Sequence, residues 1–148
     1  MMTQEERREY LINYLLKEEI RIGRYKTPAD KQGQEEETGQ AKITSGYNLP
    51  VKYILYTVGP IIQWTVTRED EELLASCYRE CLKLAADTGA ESIAFCCLST
   101  GVFRFPQQRA AEIATETVKE FLDKDDRIKK VIFNVFQDED LEIYKSLL

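Results

Sequence analysis

The sequence contains no histidine. That absence removes Ser-His and Cys-His nucleophile pairs, imidazole general bases and imidazole metal ligands together. No apolar run approaches the roughly 18 residues of a membrane-spanning helix, so no span is expected. The charged opening, MMTQEERREYL, lacks the apolar centre of a signal peptide, and the expected compartment is the cytoplasm. Basic charge is scarce as well: 20 Lys and Arg stand against 26 Asp and Glu, a net charge of -6. A protein that coats nucleic acid needs clustered Lys and Arg, so no nucleic-acid partner is expected. A single small phosphate ligand stays open, because amides at a helix N-terminus hold one without any lysine.

Cysteine is sparse. Cys77 and Cys81 stand four apart in a helical pattern, and Cys96 and Cys97 are neighbours in an apparent strand. Neither pair has C-x-x-C spacing. They read as small buried thiols of a reducing compartment. No internal repeat is visible, and the low-complexity patch is the short run Glu35–Glu37.

What remains is globular. The chain has 148 residues, 43% apolar and 31% charged, one domain that can bury roughly 70% of its unfolded surface without a disulfide or metal. TQEERREYLINYLLKEE predicts a helix over residues 1–18, with Thr3 and Glu6 as a capping box and an apolar stripe of Tyr10, Leu11, Tyr14 and Leu15. Residues 19–40 hold three glycines and a proline and read as a linker, unusually long for a compact domain. From 41 to 148 the pattern alternates. AKIT predicts a short edge strand and KYILYTVGP a buried one ended by Gly59-Pro60. TREDEELLASCYRECLKLAADTG predicts a helix capped by Thr67 with Asp70 and closed by Gly89. Its inner face is Leu73, Leu74, Cys77, Tyr78, Cys81, Leu84 and Ala85. SIAFCCLS is a nearly continuous apolar run, expected to be a strand covered on both faces. Pro106 is expected at the first helical position of the next helix, whose buried face is Ala110, Ala111, Ile113, Ala114, Val118 and Phe121. KKVIFNVF predicts a further buried strand and QDEDLEIYKSLL a final short helix. The alternation defines an α/β domain with a mostly parallel sheet.

Ligands of open α/β sheets lie beyond the carboxyl ends of the strands. Gly59-Pro60, the stretch Ser99–Phe105 and the turn after Phe136 all arrive there. In CLSTGVFRFP, Ser99 and Thr100 supply hydroxyls, Gly101 allows close backbone approach, and a helix begins just beyond. The composition suits a phosphate or diphosphate cradle; it equally suits an ordinary strand-to-helix turn with Ser/Thr capping.

ITSGYNLPVKYILYTVGP, CLSTGVFRFP with RAAEIATETV, and VIFNVFQDEDLEIY occur in that order, and together they resemble the macrodomain family of ADP-ribose-binding modules. The resemblance is closest to its bacterial zinc-containing branch, which removes ADP-ribose from proteins, and the first 18 residues resemble that branch too. It implies a three-layer α/β/α domain. It implies that Ser99, Thr100, Gly101, Val102 and Phe103 surround the diphosphate and proximal ribose. Asn134 and Phe136 would then approach the distal ribose and adenine. Arg104 either pairs with phosphate or points into solvent. The departures carry consequences. The family's asparagine-rich loop, catalytic asparagine and zinc ligands precede the AKIT strand, and here that interval is only residues 19–40, as if an internal deletion joined Glu18-Glu19 to the TGQAKIT stretch. Tyr56 stands where the family often has histidine. One or two sheet strands are therefore expected to be missing, zinc is not expected, and no catalytic residue is assigned. Three functions follow: a catalytically impaired ADP-ribose-binding module, an active protein-ADP-ribose hydrolase using a water held by the diphosphate loop, or a non-catalytic oligomer joined through an exposed sheet edge.

Overall fold

The computed structural model describes residues 37–148. The expected helix over 1–18, and all of the expected linker except 37–40, lie outside the described residues. In chain order the elements are β1 (Ala41–Ser45), β2 (Tyr53–Thr57), α1 (Arg68–Asp87), β3 (Ser92–Phe95), α2 (Gln107–Lys124), β4 (Lys130–Phe133) and α3 (Asp138–Leu147). The α/β class expected from the alternation holds.

β1 and β2 form an antiparallel pair, in register from Ala41 opposite Thr57 to Ser45 opposite Tyr53. The turn between them needs Gly46, where a Cβ would meet the Val51 carbonyl oxygen at 1.9 Å. β3 and β4 run parallel, with Ser92 opposite Lys130 and Phe95 opposite Phe133. Among the described residues the strands make two separate two-stranded sheets, so β2 and β3 do not pair directly. Among the described residues one of these pairs is antiparallel and the other parallel.

α1 is the spine. Its N-terminus carries the predicted capping box: the Asp70 N–H donates to Thr67 Oγ1 at 3.1 Å, and the Thr67 N–H donates to Asp70 Oδ2 at 2.8 Å. Gly89 takes a left-handed φ of +81° one residue past the C-cap, Thr88. The buried stripe is Leu74, Ala75, Cys77, Tyr78, Cys81, Leu82, Ala85 and Ala86, rotated slightly from the predicted face, since Leu73 and Leu84 are only half-buried. This stripe packs on β1, β2, β3 and α2. An aromatic ladder extends it. Tyr78 meets Phe95 at a centroid distance of 4.9 Å, Phe95 stacks on Phe133 at 6.4 Å, and Phe133 meets Tyr144 of α3 at 4.9 Å.

α1 and α3 therefore cover the same face of β3 and β4. The opposite face is open among the described residues: Ala94 is exposed and Ile132 is 43% exposed. The expectation of a strand covered on both faces is corrected here. An unbroken apolar run reports hydrophobicity, not which of its alternate residues meets a helix. Cys96 is exposed and lies past the end of β3, so it is not one of the buried thiols expected. Cys77 and Cys81 are buried, and desolvation drives the Cys81 thiol up to about 12.

At the far end, Arg127 bridges Asp87 of α1 and Asp125 just past α2, at 3.1 and 2.6 Å. The Arg127 guanidinium and then its backbone amide hold the Asp125 carboxyl down at about 2. A depressed carboxylate stabilises the fold above its unfolded-state value and loses that contribution as pH falls through the folded value. Thermal stability should therefore decline between pH 4 and pH 2, and Asp125→Asn should flatten the profile of Tm against pH in that window. Thr67→Ala removes the α1 cap and should cost about 1 kcal/mol in urea unfolding.

Candidate functional site

The loop after β3 is a strained, closed corner. Ser99 and Arg104 both take left-handed backbone angles, φ 62° and 63°, each unfavourable for a side-chain-bearing residue by about 1 kcal/mol. The Phe105 N–H donates to the Ser99 carbonyl at 2.9 Å and the Arg104 N–H to the Gly101 carbonyl at 3.0 Å. Phe105 is buried in the core and pins the corner from beneath, while Phe103 is half-buried. The two aromatics after the glycine thus have separate tasks: one anchors, the other lines the surface.

Between these bonds lies a run of four backbone amides, although the Gly101 and Phe103 carbonyls accept hydrogen bonds. Among the described residues, the amides of Thr100, Gly101, Val102 and Phe103 donate to nothing. Gly101 faces open space, with no atom within 4 Å of a Cβ built on it. α2 follows at once and has no side-chain cap. Pro106 occupies the N-cap, not the first helical position expected, with φ -59° and ψ 129°. Extended ψ at a proline makes it the residue before the helix. The contrast with the boxed N-terminus of α1 is direct: there a side chain caps the helix, and here, among the described residues, none does.

Neighbouring exits frame the corner. β2 ends in Gly59-Pro60, both buried. A Cβ on Gly59 would lie 1.9 Å from Ser99 Oγ and 3.2 Å from Ser99 Cβ. The Ile62 N–H donates to the Phe103 carbonyl at 2.8 Å. On the other side, the Asn134 N–H donates to the Phe95 carbonyl at 2.7 Å, so Asn134 and Phe136 leave the same sheet end as the loop. Gln107 at the start of α2 donates to Gln137 Oε1 at 2.9 Å and to buried Asp140 Oδ1 at 3.0 Å, locking the start of α3 to that of α2. Ser99 Oγ is buried and has no hydrogen-bond partner among the described residues. An unmet buried hydroxyl is unfavourable unless something else completes it.

All eight candidates gather at this end of the molecule. Ser99 and Thr100 are half-buried; Gly101, Val102, Arg104, Asn134 and Phe136 are exposed. The supporting roles of Gly59, Ile62, Gln107 and Asp140 were not legible as such, although Gly59-Pro60 marked the strand end. Among the described residues, no three Cys, Asp or Glu side chains are grouped to hold a metal ion. Burial pushes the Cys97 thiol up to about 12, away from the thiolate a metal would bind. No helix is long and apolar enough to cross a membrane among the described residues.

The chain belongs to the Macro domain family, whose model matches residues 20–114. It is 55% identical over 118 residues to a protein named protein-ADP-ribose hydrolase from Treponema medium, covering 80% of this chain and 45% of that one. It thus spans less than half the length of this curated relative. Among solved structures, the Oceanobacillus iheyensis macrodomain with ADP matches at a TM-score of 0.72 and 41% identity, over 80% of this chain and 61% of that one. The Trypanosoma brucei macrodomain in complex with ADP-ribose matches at a TM-score of 0.68 and 36% identity, over 74% and 45%.

The Gly59–Ser99 contact offers a stability test. Gly59→Ala drives a methyl into Ser99 and should destabilise the protein by about 2 kcal/mol or more. Ser99→Gly removes the obstructing side chain and suits the left-handed backbone. The double variant should therefore recover most of the loss in a denaturant titration.

Proposed function

We propose that this chain is an ADP-ribose-binding macrodomain unit that grips the diphosphate with the Ser99–Phe103 loop and is impaired in hydrolysis. The observation that carries the reading is the run of amides at Thr100–Phe103 without partners among the described residues, with Gly101 in open space ahead of a helix that has no side-chain cap. Donors in that state suit an anion, and the positive end of α2 adds to the attraction. The Ser99 hydroxyl is buried beneath the loop, with no partner among the described residues. Phe103 packs beside the proximal ribose, and Asn134 and Phe136 serve the distal ribose and adenine. Arg104 is exposed at the loop's edge, where its charge reaches a phosphate through solvent. A solved relative carrying ADP-ribose supports the choice of ligand. Impairment follows from the sequence, which has no histidine and no asparagine between Glu19 and Ala41, so the motif that would orient the attacking water has no counterpart there. No metal ion enters this reading.

A second reading, an active protein-ADP-ribose hydrolase, is favoured by the name of the relative at 55% identity. The two part on one assay. Calorimetry should detect ADP-ribose binding, while release of ADP-ribose from a modified protein should stay at the uncatalysed rate. Measurable release that disappears in Gly101→Glu would establish the second reading. Gly101→Glu places a carboxylate in open space beside the phosphates, so it should leave thermal stability unchanged and weaken ADP-ribose binding about ten-fold or more. No heat at millimolar ADP-ribose from folded wild type would sink both readings.

A further inference from the structure

Residues 60–66 join β2 to α1, and their apolar side chains have opposite fates. Pro60 and Ile62 are buried, and the Ile62 N–H is tied to the Phe103 carbonyl at 2.8 Å. Ile61, between them, is 51% exposed, and Trp64 is 94% exposed. Across the same hydrogen bond, Val102 of the ligand loop is 91% exposed. A tryptophan left almost wholly in water contributes next to nothing to the fold, although it has among the largest apolar surfaces of any side chain. Here it stands on a segment fixed at both ends, by Ile62 on one side and by the Thr67 cap on the other. Fixed, exposed tryptophans are characteristic anchors of binding surfaces.

We propose that Ile61 and Trp64, bordered by Val102, form an apolar subsite for the polypeptide of an ADP-ribosylated protein. The inference rests on the ADP-ribose reading, and the order of the strand exits gives it direction. In that reading adenine lies at Asn134 and Phe136, which leave β4 beside the end of β3. The diphosphate lies on the loop after β3. The exit of β2 lies on the other side of that loop, because Gly59 abuts Ser99. The nucleotide therefore runs from β4 toward β2, and whatever is attached to its proximal ribose emerges beside Ile61 and Trp64. The occupant that geometry selects is the peptide flanking the modified residue, with apolar side chains to match the rim. Recognition of this kind would act on the protein portion alone.

Two probes test it by calorimetry: free ADP-ribose, and a peptide joined to ADP-ribose by a non-hydrolysable bond, with leucine on both sides of the modified position. Wild type should bind the peptide more tightly than free ADP-ribose. Trp64→Ala and, independently, Ile61→Ser should weaken the peptide about ten-fold and leave free ADP-ribose within about two-fold. Both positions are exposed, and unchanged melting curves would confirm that the variants fold. Equal loss for both probes, or no loss for the peptide, overturns the subsite while the nucleotide reading stands. Wild type that binds neither probe overturns the nucleotide reading and this inference with it.

Discussion

The buried stripe of α1 is the constraint on which the other elements depend. Cys77, Tyr78, Cys81 and Leu82 are at most 2% exposed, and this one helix packs on both strand pairs. Hydrogen bonds fasten it to the ends of the β1–β2 pair: Ser76 Oγ donates to the Gly39 carbonyl at 2.8 Å, and Cys77 Sγ to the Val58 carbonyl at 3.3 Å. Because α1 holds each pair separately, the frame does not require a ladder between β2 and β3. That explains how a chain covering 61% of the Oceanobacillus macrodomain still superposes on it at a TM-score of 0.72. Side-chain packing on a shared helix preserves relative position where backbone pairing is not present among the described residues.

The same frame creates the strain at the loop after β3. Phe105 is drawn into the core, and its amide closes back on Ser99. Closing so short a corner forces Ser99 and Arg104 into the left-handed region and traps the Ser99 hydroxyl against Gly59. These are unfavourable choices that a turn selected only for stability would avoid, since glycine fits both positions. Elsewhere the chain follows the local rules closely, as the Thr67–Asp70 box and Gly89 demonstrate. Tyr47, in the β1–β2 turn, is the one other left-handed residue with a side chain among the described residues, at φ 50°, so two of the three such departures fall in this one corner at the carboxyl ends of the strands.

Polar support for the corner comes from a distance. Gln107 reaches across to Gln137 and Asp140, so the exit of β4 cannot move without disturbing the start of α2. Arg109, two residues further on, pairs with Glu71 of α1 through two hydrogen bonds, at 2.5 and 3.2 Å. Both side chains keep 42% and 32% of their surface in solvent, so this pair adds orientation more than stability, under about 1 kcal/mol. Together the contacts set α2 in place with its N-terminus open.

The sequence by itself determined the elements and the caps of α1. Period and punctuation are local properties, which is why the strands at AKIT, YILYT, SIAF and KVIF, the three helices and the Thr67 box were all legible. It also pointed to the Ser99–Phe105 stretch, because hydroxyls, a glycine and a helix start in succession are local chemistry. Only the tertiary structure decided which face of each strand is covered, that the strands among the described residues fall into two pairs, and that Cys96 meets solvent. Burial and pairing depend on partners distant in sequence, and an apolar run such as IAFCC reads the same on either side of a sheet. For the same reason, nothing local in Gly59 announced its contact with Ser99, 40 residues on. The exposure of Trp64 is likewise a product of the fold.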